Sequence, residues 1–143
     1  MSANYFLDTN ILVYTFDVHT PAKQVRARIL VEEALVHGYG TISTQVIQEF
    51  LNVAIHKFRP SLGTTDTQIF LRQVLHPLCR VFPNLALYEL GLELQSKTGY
   101  SFYDALILAG AITAECDTLY TEDLQDGQIV RGVLIRNPFA NPS

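Results

Sequence analysis

Short β-prone runs alternating with longer helical stretches predict an α/β fold, with a mainly parallel central sheet covered by helices on both faces. Three observations carry this. Apolar or β-prone runs occur at Tyr5 to Leu7, Tyr39 to Ser43, Arg80 to Phe82 and Thr118 to Thr121. The stretches between them show helical spacing and end on helix stop signals. The chain has 143 residues, 48% hydrophobic and 17% charged, which suits one domain with a substantial core and excludes a disordered chain. No internal repeat, linker or low-complexity tract divides residues 1–143, so a single domain is expected.

The elements follow in order. Tyr5-Phe6-Leu7 reads as a strand that passes at Asp8-Thr9-Asn10 into the cap of a helix beginning near Ile11. Pro21 stands at a first helical turn, and Val25, Ile29, Glu32-Glu33 and Leu35 continue a helix of about four turns to a stop at Gly38. Tyr39 to Ser43 is β-prone, and Ser43 or Thr44 caps an amphipathic segment from Gln45 to Phe58. Arg59-Pro60-Ser61-Leu62-Gly63 breaks that helix. Thr65 to Leu78 reads as one further helix, Arg80-Val81-Phe82 as a strand, and Asn84 to Lys97 as a helix ended by Gly99. Ser101 to Ala114 is apolar nearly all round, as in a buried helix. Thr118 to Thr121 is the next strand, Asp126-Gly127 a turn, and Ile129 to Ile135 one or two short strands before Asn137-Pro138.

Composition limits the function classes. The start, Met1-Ser2-Ala3-Asn4-Tyr5, shows no basic region followed by an apolar one, and no apolar run approaches a membrane span, so a soluble, cytoplasmic protein is expected. Cys79 and Cys116 have neither CxxC spacing nor a paired histidine motif and read as buried free thiols. His19, His37, His56 and His76 show no metal spacing and read as solvated or structural. A net charge of −4 is unusual for a nucleic-acid binder. That objection weakens if carboxylates converge on a divalent ion, which reverses the local field where a phosphate must sit.

Parallel sheets bind ligands at the carboxyl ends of their strands, so acids at those ends are the candidates. Asp8 directly follows the first strand, although Asp is also a preferred helix cap. Asp123 lies just past Thr121 in what could equally be a polar turn. Asp104 opens a helix whose next residues, Ala105 to Ile112, carry no charge, yet Ser101-Phe102-Tyr103-Asp104 also matches a capping box. Glu49 borders the apolar face of its helix, beside the polar positions Gln45, Gln48, Asn52 and His56. Clustered carboxylates without basic neighbours raise one another's pKa, and a divalent cation removes that cost. An oxygen-rich set of this kind suits Mg²⁺ or Mn²⁺ better than zinc.

Phe6-Leu7-Asp8-Thr9-Asn10-Ile11-Leu12, Val46-Ile47-Gln48-Glu49-Phe50, Tyr103-Asp104-Ala105-Leu106-Ile107 and Leu119-Tyr120-Thr121-Glu122-Asp123 stand in the order seen in PIN domains. The likeness covers nearly the whole chain and looks most similar to the VapC group, the toxin halves of toxin–antitoxin pairs. The resemblance implies a three-layer α/β/α sandwich, a Mg²⁺- or Mn²⁺-dependent endoribonuclease acting on RNA, commonly a homodimer, and a small antitoxin partner. It implies that Asp8 and Asp104 are the principal metal ligands and that Glu49 and Asp123 complete the acidic centre. Asn10 and Thr121 match supporting polar positions. Glu122, Asp126 and Asp117 offer other choices for the last acid, resting on spacing alone. No basic patch is evident; Arg26, Arg28, Lys57 and Arg59 are the candidates for an RNA path, although they read first as ordinary solvated charges. The stretch from Lys57 to Thr67 is a candidate target-selecting element.

The expected chemistry is attack by metal-activated water on a phosphodiester. A haloacid-dehalogenase-type phosphatase also places an aspartate after its first strand, but needs a second aspartate where Asn10 stands. A dinucleotide-binding module lacks its GxGxxG. The non-enzyme alternative is a catalytically silent PIN-like module that binds RNA or protein.

Overall fold

A computed structural model describes residues 4–140; Met1, Ser2 and Ala3, on which part of the expectation about the chain start rests, lie outside the described residues. Strand β1 (Tyr5–Leu7) leads into helix α1 (Thr9–Tyr14), and α2 (Pro21–His37) precedes β2 (Gly40–Ser43). Helices α3 (Thr44–His56), α4 (Thr64–Phe70) and α5 (His76–Leu78) lead to β3 (Cys79–Val81). Helices α6 (Leu85–Thr98) and α7 (Phe102–Thr113) precede β4 (Thr118–Tyr120), and β5 (Ile129–Val130) and β6 (Val133–Arg136) finish the sheet.

The strand order is β3-β2-β1-β4-β6-β5, with every neighbouring pair parallel except β5–β6. The α/β architecture with helices on both sheet faces is as expected. Strand β1 shows the reason for the sandwich in consecutive residues, because successive side chains of a strand point to opposite faces. The Tyr5 hydroxyl donates to the Leu30 carbonyl of α2 at 2.8 Å, whereas Phe6 packs against Gly110 of α7. Both faces of the strand are therefore covered.

The helix ends carry residue types that cap or stop helices, Ser43, Gly38 and Gly99 as expected and Asn84 as the cap of the helix expected to begin on it. Ser43 Oγ accepts from Val46 N–H, Asn84 Oδ1 from Leu87 N–H, and Gly38 and Gly99 end their helices at φ +71° and +77°. The hairpin β5–β6 turns at Arg131 and Gly132, both with positive φ, as a two-residue turn between right-twisted strands requires.

Three boundaries differ from the expectation. The helix expected over Thr65 to Leu78 is interrupted between α4 and α5 by a wide turn, Leu71–Leu75, in which His76 N–H reaches the Leu71 carbonyl. Pro77 explains it: a proline lacks the N–H for a regular turn, and its ring would strike the carbonyl four residues back. Helix α3 stops at His56 because Phe58 turns inward, its ring 5.4 Å from Phe16 and 5.9 Å from Phe50. With Phe70 at 4.9 Å from Phe16 and 5.0 Å from Phe50, these rings form an aromatic cluster beneath α1, α3 and α4. Strand β3 shifts back by one residue because Cys79 and Val81 face inward, leaving Phe82 exposed.

Cys79 and Cys116 are buried free thiols, and burial pushes both up in pKa, Cys116 to about 12, so neither is a nucleophile at neutral pH. Among the described residues no helix is long and apolar enough to cross a membrane. Packing of β2 against β1 and α2 depends on the missing side chain of Gly40, where a Cβ would lie 2.6 Å from both Ala34 Cβ and Tyr5 Cε1. The bond from Tyr5 to Leu30 prevents its ring from yielding. Gly40→Ala is expected to cost about 1–3 kcal/mol, lowering Tm by roughly 3–10 °C in a thermal melt; an unchanged Tm would mean the strand can shift.

Candidate metal centre

The chain leaves β1 toward β2 and β3 on one side and adds β4 and β6 on the other, so β1 and β4 flank the switch point of the sheet. A crevice forms at such a point outside the carboxyl ends of the strands. Asp8 occupies it. Its N–H bonds to the Tyr120 carbonyl at 3.0 Å, extending the β1–β4 ladder, and its side chain is only 4% exposed. One carboxylate oxygen accepts from Thr9 N–H at 2.6 Å, and the other accepts from the Thr121 hydroxyl at 2.7 Å. Asp8 thus caps α1 with one oxygen and is tied to the end of β4 by the other.

Thr121 is fully buried one residue beyond β4. Its oxygen also accepts from Asp123 N–H at 3.1 Å, and the exposed Asp123 carboxylate accepts from Asn10 Nδ2 at 3.0 Å. The competing acids are engaged elsewhere. Glu122 pairs with Lys23 and accepts from the Tyr14 hydroxyl at 2.7 Å. Asp126 accepts from Asn137 N–H at 2.8 Å, and Asp117 precedes the amino end of β4. Of these acids, Asp123 is the one joined to Asp8 through Thr121.

Glu49 lies half-buried on α3. It accepts from Thr9 Oγ1 at 2.5 Å and from Gln45 Nε2 at 3.2 Å. The same Gln45 nitrogen donates to the Tyr103 carbonyl at 3.0 Å, which ties α3 to the first turn of α7 beside Asp104. At Asp104 half of the capping box forms: its N–H donates to Ser101 Oγ at 3.2 Å. Its carboxylate has no hydrogen bond among the described residues, so capping does not occupy it. The structure therefore gathers Asp8, Asn10, Thr121 and Asp123, sets Glu49 one hydroxyl away, and reaches Asp104 only by way of Gln45. Among the described residues, no three His, Cys, Asp or Glu side chains converge closely enough to hold an ion in the conformations they adopt.

Electrostatics mark Asp8 out. Burial pushes its carboxyl up to about 7, the Thr121 and Thr9 hydrogen bonds oppose this, and the charges of Asp123 and Glu49 add to it. No Lys or Arg pairs with Asp8, Glu49, Asp104 or Asp123 among the described residues. Two buried oxygens beside these acids, Asn10 Oδ1 and Gln45 Oε1, have no hydrogen-bond partner. Carboxylate and amide oxygens short of cations and donors fit a hard divalent ion such as Mg²⁺ or Mn²⁺.

Sequence reasoning passed over the linking roles of Thr9 and Gln45. Gln45 stands four residues before Glu49 on one helix, a spacing that puts the two side chains together and could have flagged it. Of the candidate RNA-path cations, Arg28 Nε donates to the Thr15 carbonyl and Arg59 to those of His56 and Phe58, which are local structural uses.

The family model described as PIN domain matches residues 5–125. The chain is similar to one in a toxin–antitoxin complex from Klebsiella pneumoniae, at 20% identity over 95% of this chain and 98% of that one, with TM-score 0.66. It is also similar to a chain of VapBC2 from Rickettsia felis bound to a promoter DNA fragment, at 19% identity over 93% and 97%, TM-score 0.61. A third similar chain comes from FitAB bound to the IR36 DNA fragment, at 18% identity over 94% of both chains, TM-score 0.64. A search of curated proteins finds no match. At these identities the structural likeness establishes the fold.

Proposed function

The chain belongs to the PIN domain family, and on that premise we propose that it is a Mg²⁺- or Mn²⁺-dependent endoribonuclease resembling VapC, the toxin of a toxin–antitoxin pair. The observation that carries this reading is Asp8, a carboxylate buried at the switch point of the sheet among hydroxyls, amides and further acids, with no cation paired to it. Asp8, Asp104, Glu49 and Asp123 are the residues that would hold the metal, with Asn10 and Thr121 in support. A bound divalent ion supplies an activated water and compensates charge on the scissile phosphate.

The residues divide the remaining work. Thr121 and the Thr9 N–H fix both oxygens of Asp8 before RNA arrives, which lowers the cost of ordering the site. Asn10 steers Asp123, and Gln45 holds Glu49 against the start of α7. No protein nucleophile is needed. Hydrolysis by water leaves a 5′-phosphate and a 3′-hydroxyl, whereas attack by the ribose 2′-hydroxyl leaves a cyclic phosphate.

The similar folds come from toxin–antitoxin complexes, which supports a small antitoxin as partner; a homodimer and a cytoplasmic location belong to the same reading. The competing reading, a PIN-like scaffold that binds RNA or protein without cutting, draws on the separation of Asp104 from the other acids. Cleavage decides between them. With Mg²⁺ or Mn²⁺ the protein is expected to cut a structured RNA mixture, to stop in EDTA, and to leave 5′-phosphate ends. Asp104→Asn is expected to lose that cutting yet change stability by less than about 1 kcal/mol, since its carboxylate has no partner. Cyclic-phosphate products would sink the metal–water scheme, and absence of cutting in any metal would favour the silent scaffold.

A further inference from the structure

The chain carries ten Lys and Arg residues against fourteen Asp and Glu, and three of those cations line one cleft. A cavity of about 580 Å³ is bounded by Ala22, Lys23 and Arg26 of α2, by Arg136 at the end of β6 and by Asn137 and Phe139 after it. It opens at the same edge of the sheet as the acidic centre. Arg136 is the register partner of Tyr120, and its carbonyl accepts from Thr121 N–H at 3.1 Å, so one wall of the cleft is bonded directly to the residue that holds Asp8. Glu122, between Thr121 and Asp123, reaches the opposite wall through Lys23.

The three cations are not equivalent. Lys23 is neutralised by Glu122 and lies over the Tyr14 ring. Arg26 and Arg136 are exposed and have no ion pair among the described residues, which leaves two uncompensated guanidinium groups at the cleft. Guanidinium matches the oxygens of phosphate in a paired geometry that an ammonium cannot. In a protein with a net charge of −4, free cations gathered one strand from the carboxylates provide the local field that a polyanion needs. Resting on the ribonuclease reading above, we infer that the cleft lined by Lys23, Arg26 and Arg136 holds a backbone phosphate of the RNA strand flanking the scissile bond. Arg26 and Arg136 make the contact, while the Lys23–Glu122 pair fixes the wall.

The test separates binding from cutting. Fluorescence anisotropy with a labelled single-stranded RNA is measured in EDTA on the cleavage-deficient Asp8→Asn protein across a range of salt. Adding Arg26→Gln and Arg136→Gln together is expected to weaken binding at least roughly tenfold and to reduce the slope of log K against log salt by roughly 0.7 to 1. A charge-matched pair, Arg72→Gln with Arg131→Gln, removes cations placed elsewhere and is expected to leave both quantities within about twofold. Equal losses from the two pairs, or none from the first, would overturn the inference. So would loss of an oligoglutamate peptide in place of RNA, which would make the cleft a protein-docking surface. In the protein that retains Asp8, with Mg²⁺, the first pair is expected to raise KM and leave kcat within about twofold; a fall in kcat at constant KM would count against a flanking contact. If the parent cuts no RNA while the binding difference persists, the nuclease reading fails and the phosphate cleft stands. If cutting is present and binding is unaltered, the reverse holds.

Discussion

Stripped of metal at pH 8, an Asp8→Asn protein is expected to melt higher than the parent while cutting no RNA. The reason lies in the folded carboxyl, which burial and the nearby charges of Asp123 and Glu49 push up to about 7 from 3.8. The folded state binds that proton more tightly than the unfolded chain does. The parent's stability from this group is therefore fully present below about pH 4 and is lost as pH rises through 7. A gap of about three pH units sets a ceiling of roughly 4 kcal/mol. Asparagine keeps one acceptor oxygen for the Thr9 N–H and turns an amide N–H toward the Thr121 hydroxyl oxygen, without the charge, so its melting temperature in EDTA should be nearly flat from pH 5 to 8. Added Mg²⁺ should raise the melting temperature of the parent and not of the variant, and cutting should fall at least roughly a hundredfold. A variant that melts lower than the parent at pH 8 would show that capping α1 is the larger role of Asp8.

The second large effect lies outside the crevice. Phe50→Ala is expected to destabilise the protein by about 3–5 kcal/mol, because it empties a fully buried position against three other rings. Urea unfolding at neutral pH measures it, and a loss below about 1 kcal/mol would mean that Phe16, Phe58 and Phe70 close over the gap. Glu49 precedes Phe50 on α3, so the same change should also loosen the bond from Thr9 to Glu49 and weaken metal binding.

Much of this was legible in the sequence. The helix cap at Ser43, the stops at Gly38 and Gly99, and the strand-to-helix switch at Asp8 are local signals, and the structure uses each of them. What was hidden depends on residues distant in the chain. In the sequence Asp123 is preferred to Glu122 on spacing alone; what the sequence hides is that Lys23 of α2 and Tyr14 of α1 engage Glu122, which supports that preference. Of the cationic cleft only Arg26 is singled out in the sequence, because Lys23 and Arg136 join it only when β6 lies beside β4. Pro77 was visible, but whether it would end the helix or widen it depends on packing around Leu75 and Leu78, both buried.

Placing β4 beside β1 has a further consequence, in time. The hydrogen bond from Thr121 to Asp8 joins residues 113 apart in sequence, as does that from Asn10 to Asp123. Strands that pair across such distances come together late, after local helices have formed. On a growing polypeptide, β1 can pair early with β2 but waits for most of the chain to leave the ribosome before β4 exists. Products that stop before β4 therefore lack Thr121 and Asp123 and leave Asp8 without its partner, so the assembled centre is met only in chains made nearly to their end.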